Sequence, residues 1–152
     1  MKKLPEVEAA KQLMNEAMKW SVMTWLRQKK RVRQAADQAN AALDDMSGQL
    51  KQRWPDSIRA RYEALASGNS PSRLNGRSRE KDMGKELEES VTARKLREAD
   101  EEARRARDLA EQTFDEAERK LSTSLAREGC RQAIEAWDLH ENAIVQSEKY
   151  AL

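Results

Sequence analysis

Five cations fall within seven residues, Arg27, Lys29, Lys30, Arg31 and Arg33, directly after Trp20 and Trp25. Such a run can neutralise phosphates and release their counterions. Tryptophan beside basic residues also suits the surface of an anionic membrane, through a Trp20/Trp25 face. The plainer reading makes the indoles core and the cations a solvated helix face, balanced by Glu98, Asp100, Glu101 and Glu102 on a neighbouring helix. Net charge weighs between them. The chain has 29 Lys and Arg against 27 Asp and Glu, a balance of +2, whereas nucleic-acid-binding domains ordinarily carry a strong positive excess. Phosphate contact by these five residues is therefore the alternative, not the first expectation.

A second basic group, Arg73, Arg77, Arg79 and Lys81, lies in and just beyond the stretch SGNSPSRLNGRS (67–78). A Gly/Ser-rich basic loop that leads into a helix start can hold an anion on the first helical N–H groups. P-loop spacing is absent, and a solubilising loop is the expectation. His140 is the one histidine. A di-iron bundle needs paired Glu-x-x-His elements, and residue 137 is Trp where a glutamate would be required. One histidine and one cysteine are too few for a zinc site. Cys130 stands near Arg127 and Arg131, cations that can activate a thiol, but an inert half-buried thiol is the simpler reading. No nucleophile, base and orienting group share a pattern. The expectation is a non-enzymatic chain with no catalytic residue, no metal and no cofactor.

The elements that would position these residues read as helices. From Met18 to Leu50 apolar residues step by four and three: Met18, Val22, Trp25, Val32, Ala36, Ala39, Leu43, Met46, Leu50, with Lys29 the one interruption. That is the seam of a long helix. Pro5 suits a first helical turn, so the spacing predicts a helix over about 5–54, ended by Pro55. Asp56 and Ser57 open a short helix over 56–66, and the loop follows at 67–78. A second long helix is predicted over 79–127, with a seam of Met83, Leu87, Val91, Ala99, Ala103, Ala106, Ala110, Thr113 and Ala117, widened by Leu96, Leu109, Phe114, Leu121 and Leu125. Acid-before-base pairs four apart support its outer face: Asp100–Arg104, Glu101–Arg105, Asp115–Arg119 and Glu116–Lys120. Gly129 is a possible break before a last amphipathic helix over 130–150.

The fold expected is therefore all-α: a single elongated domain over 1–152, a long antiparallel helical hairpin or coiled-coil bundle with a short middle helix and a C-terminal helix. Folding back at residues 55–79 would set Ala39 near Leu96 and Trp25 near Leu109–Phe114. Leu, Ile, Val and Phe total 23 residues against 22 alanines, so the contacts should be close but thin. The Trp-rich end spreads apolar surface wider than two helices need. That width calls for further helices, from this chain folding back at Gly129 or from a second copy. The scarcity of large aliphatics favours self-association through Met18, Val22, Trp25, Val32 and Trp137. A lone cysteine, no apolar leader and no run of about 20 apolar residues suit a soluble cytoplasmic protein. The function expected is a helical interaction protein, an adaptor, assembly factor or stalk-like coiled coil, whose helix faces bind a protein partner or itself.

Overall fold

A computed structural model describes residues 2–68 and 80–152, with side chains of the second part described from Gly84 onward. Among the described residues the chain is all-helical: α1 (Pro5–Ala17), α2 (Val22–Gln52), α3 (Asp56–Ala66), α4 (Glu80–Lys120) and α5 (Thr123–Glu148). No helix is long and apolar enough to cross a membrane among the described residues.

The two long predicted helices are each divided. The helix expected over 5–54 breaks at residues 18–21, and the one expected over 79–127 ends at Lys120. Neither break has a glycine or proline. Each is a reversal capped by serine. Ser21 Oγ accepts the Thr24 amide at 3.3 Å, and Ser122 Oγ accepts the Leu125 amide at 3.2 Å. Serine at such a position satisfies one of the orphan donors of the first turn. At the second reversal Leu121 takes φ 52° and the Ser122 amide reaches back to the Ala117 carbonyl at 3.1 Å. This closes the preceding helix as a left-handed residue commonly does, though usually that residue is glycine. Gly129, which by sequence could break a helix or be carried through one, lies well inside α5.

These reversals make two antiparallel hairpins, α1 on α2 and α4 on α5. The helix α5 is the common partner, packing against α4, α2 and α1. Its buried positions explain how three helices crowd around it: Ala126, Gly129, Cys130, Ala133, Ala136, Ala143 and Ser147 are all small, with Trp137 and Ile144 as the large anchors. Gly129 has a specific reason to be glycine. A Cβ there would stand 2.8 Å from Phe114 Cδ1 and 2.9 Å from Cε1. The ring sits over the bare backbone of α5 and stacks on Trp25, with centroids 5.7 Å apart and planes 11° from parallel.

The core from α1, α2, α4 and α5 includes Val7, Met14, Val32, Leu43, Trp137 and Ile144, each at most 2% exposed. Burying a side chain of that size contributes about 1.5–3 kcal/mol. Trp54, Ile58 and Tyr62 form a second cluster with Ala93 and Leu96, and so dock α3 on α4. The wide Trp-rich end thus gains its extra helices, α1 and α5, from the same chain. Trp25, Val32 and Trp137, expected to face a second copy, are 3%, 0% and 2% exposed and belong to one chain's interior. Met18 packs against that core and is partly buried, as is Val22.

The expected pairing of α2 with α4 is also revised. The two run antiparallel, since Arg33 pairs with Glu118, Asp44 with Arg107 and Lys51 with Asp100. Their backbones nevertheless stay apart over most of their length, and both rest on α5. Trp25 meets Phe114 as expected. Leu96 instead joins Trp54 and Tyr62, while Ala39 is buried in the other cluster. Leu87, Val91, Leu109 and Leu121, placed on the expected seam, are 67%, 42%, 51% and 58% exposed.

Candidate functional site

Two regions emerge from this packing. The first is the outer face of α2 in its N-terminal half. The spacing of Met23, Arg27, Lys30 and Arg31 puts them in one sector of the helix. All four are exposed, Met23 at 61%, and Lys29 is half-buried beside them. Among the described residues none of these four cations makes an ion pair. The fifth member of the run behaves differently. Arg33 donates to Glu118 at 3.2 Å and to Asp115, and its guanidinium lies 5.5 Å from the Phe114 ring centre. Burial lowers its affinity for a proton, and the two carboxylates more than reverse that. Arg33 is held to α4. The acids expected to balance the run also act elsewhere, Asp100 on Lys51 and Tyr62, and Glu101 on Arg97 and Arg105. Arg27, Lys30 and Arg31 are left facing solvent.

Of the tryptophans that precede the run, Trp25 is in the core and Trp20 packs partly buried against it. The cations Arg73, Arg77 and Arg79, like the side chain of Lys81, lie outside the described residues.

The second region is a groove of about 520 Å³ between α2 and α4, floored by α5. Its α2 wall carries Asp44, Ser47, Gly48 and Lys51, and its α4 wall carries Asp100, Ala103, Arg104 and Arg107. Ser47, Gly48 and Ala103 leave room between the long side chains of its walls, and a Cβ on Gly48 would meet nothing within 4 Å. Two bridges cross it. Arg107 Nη1 donates to both oxygens of Asp44, at 3.1 and 3.0 Å. Lys51 Nζ lies 3.1 Å from Asp100 Oδ2, which also accepts the Tyr62 hydroxyl. Lys51 further lies 4.8 Å from the Tyr62 ring centre. Burial lowers the Lys51 pKa, but Asp100 and Tyr62 outweigh it, and the net shift is upward. The Tyr62 hydroxyl is held up by burial and by Asp100. Each wall thus offers an acid followed seven residues later by a base, and because the helices are antiparallel each acid meets the other wall's base, so they bridge twice.

His140 lines the floor beneath these bridges. Burial pushes its pKa down, the charges of Asp44 and Asp100 pull it up, Arg107 and Lys51 push down again, and the net shift is downward. Its sequence context gave His140 no metal site and did not reveal the groove. The available signal was the pair of heptad-spaced opposites, Asp44…Lys51 and Asp100…Arg107. Using it required knowing that α2 faces α4 across α5. Cys130 is wholly buried, and burial pushes its thiol up to about 12. A thiol so protonated lacks the nucleophilic thiolate that its arginine neighbours suggested.

No family model, curated protein or solved structure matches this chain. Its functional reading rests on its own geometry.

Proposed function

We propose that this protein is a non-enzymatic helical interaction protein that presents the outer face of α2 to an acidic surface on a protein partner. One observation supports this above others: Arg27, Lys30 and Arg31 are exposed beside an exposed Met23 and, like the half-buried Lys29, make no ion pair among the described residues, while Arg33, half a turn on, is bound to α4. Exposed cations around one apolar side chain suit a partner with acids around a small apolar patch. Such charges speed and orient encounter more than they add affinity.

The test is photo-crosslinking from a reactive residue placed at position 30, in the organism's own cells. Protein adducts should form, survive nuclease and be lost when Arg27 and Arg31 are changed to glutamine. Equal adducts from a label at Glu8 on α1, or adducts indifferent to the R27Q/R31Q change, would refute the proposal.

The same unpaired cations favour a second reading, contact with nucleic-acid phosphates. Retention on duplex DNA should then fall steeply with salt and vanish in the K29Q/K30Q/R31Q variant. The near-neutral chain is the reason for ranking it second.

A further inference from the structure

The groove between α2 and α4 has an uncommon construction. Two helices that meet through Trp25 and Phe114 at one end, but whose backbones stay apart over most of their length, are tied across an open cleft by two ion pairs, Asp44–Arg107 and Lys51–Asp100. Beneath the ties lies a titratable group that neither uses, His140. We infer that the groove is a proton-operated clasp, in which protonation of His140 loosens α2 from α4.

The groups around the imidazole set the direction. From α2 come Asp44 and Lys51, from α3 Tyr62, and from α4 Asp100, Arg104, Arg107, Asp108 and Glu111. The α1 side of α5 is engaged separately, with Lys11 pairing to Asp138 and Glu141. A neutral imidazole leaves both bridges intact. An imidazolium draws Asp44 and Asp100, the carboxylates on which both bridges depend, and repels Arg107 and Lys51. Each bridge is weakened through both of its members. The floor of the groove need not move, because α2 and the turn just past it are tied to α5 by uncharged bonds: Trp137 Nε1 donates to Asn40 Oδ1 at 2.9 Å, and Trp54 Nε1 donates to the Ser147 carbonyl at 3.0 Å. The response is therefore a widening of the α2–α4 cleft on an intact α2–α5 contact, not unfolding. Small helix displacements of this kind, about 1–2 Å, are the usual scale of interface switching.

Spin labels on cysteines at Gln38 of α2 and Leu109 of α4, both exposed and outside the groove lining, report the width directly. The buried Cys130 should stay unlabelled in the native protein. Between pH 7.5 and 5.0 (from about a unit above the ordinary histidine value to well below it, because burial holds His140 below that value) the distance distribution should lengthen or broaden by on the order of 1–2 Å. The His140 ring-proton NMR signal should titrate with the same midpoint. The H140Q variant should keep the high-pH distribution at both values. An unchanged distribution in the wild-type protein, the same change in H140Q, or midpoints that do not coincide would each overturn the inference.

Discussion

Two glycines inside helices should respond to alanine in opposite directions. Gly48 in α2 and Gly129 in α5 both sit at helical φ/ψ, where alanine is favoured by about 1 kcal/mol. At Gly48 nothing stands within 4 Å of the new methyl, so Gly48→Ala should stabilise the fold by about 0.5–1 kcal/mol. At Gly129 the methyl would lie 2.8 and 2.9 Å from two atoms of the Phe114 ring and 3.2 Å from its Cγ. Because Cγ is near the root of the side chain, the ring cannot simply swing its far end away. It is also held by Trp25 on its face and by the Arg33 guanidinium. Relieving the overlap requires moving α5 from α4 or displacing the stack, and overpacking of this kind costs about 1–3 kcal/mol. Subtracting the propensity gain leaves Gly129→Ala destabilised by up to about 2 kcal/mol. The two variants then differ by about 0.5–3 kcal/mol, which for a chain of this length separates them by roughly 1–12 °C in Tm. Thermal and urea unfolding followed by far-UV circular dichroism measure this, with tryptophan fluorescence reporting on the stack. If Gly129→Ala stabilises the protein as much as Gly48→Ala, the close α4–α5 approach described above is wrong.

Leu121, at φ 52° and 58% exposed, should be improved by glycine. Removing a left-handed strain of about 1–2 kcal/mol, less the entropy glycine adds to the unfolded chain, should raise stability by about 0.5–1 kcal/mol in urea titration. Trp54→Phe removes the indole donor to the Ser147 carbonyl, which keeps the Tyr150 amide, and chemical denaturation should show a loss of about 0.5–1.5 kcal/mol. Cys130, with its thiol pushed up to about 12 by burial, should resist alkylation at pH 8 in the native protein and react at once in denaturant. The depressed His140 pKa means the unfolded chain binds the proton more readily. Its contribution to stability is present above the unfolded value near 6.5 and is lost as pH falls through and below it. A plot of wild-type minus H140Q stability against pH should slope downward on the acid side, and a flat difference would refute the assignment.

Part of the fold was legible in the residues themselves. The four-three spacing from Trp25 to Leu50 does run along the inner side of α2, where Trp25, Val32, Ala39, Leu43 and Leu50 are buried. Pro55 and Asp56 mark the start of α3. Glu101–Arg105 and Glu116–Lys120 pair along α4 as spacing suggests. Asp100 and Asp115, equally well placed for local partners, turn instead to Lys51 and Arg33 on α2. Spacing within a helix is blind to a better-placed cation on another one.

The sequence alone determined that this chain is helical and that α2 buries one side, because hydrophobic period and proline placement are local properties of the backbone. Tertiary structure decided where the helices turn. Ser21 and Ser122 became caps only because the chain gains by folding α1 and α5 back, a choice that weak local signals cannot express. It also decided that α5, with its small residues, would be the axis on which α2 and α4 are hung apart. The groove, its bridges and the histidine under them exist for that reason: they are made of residues that meet only when three helices share one narrow partner.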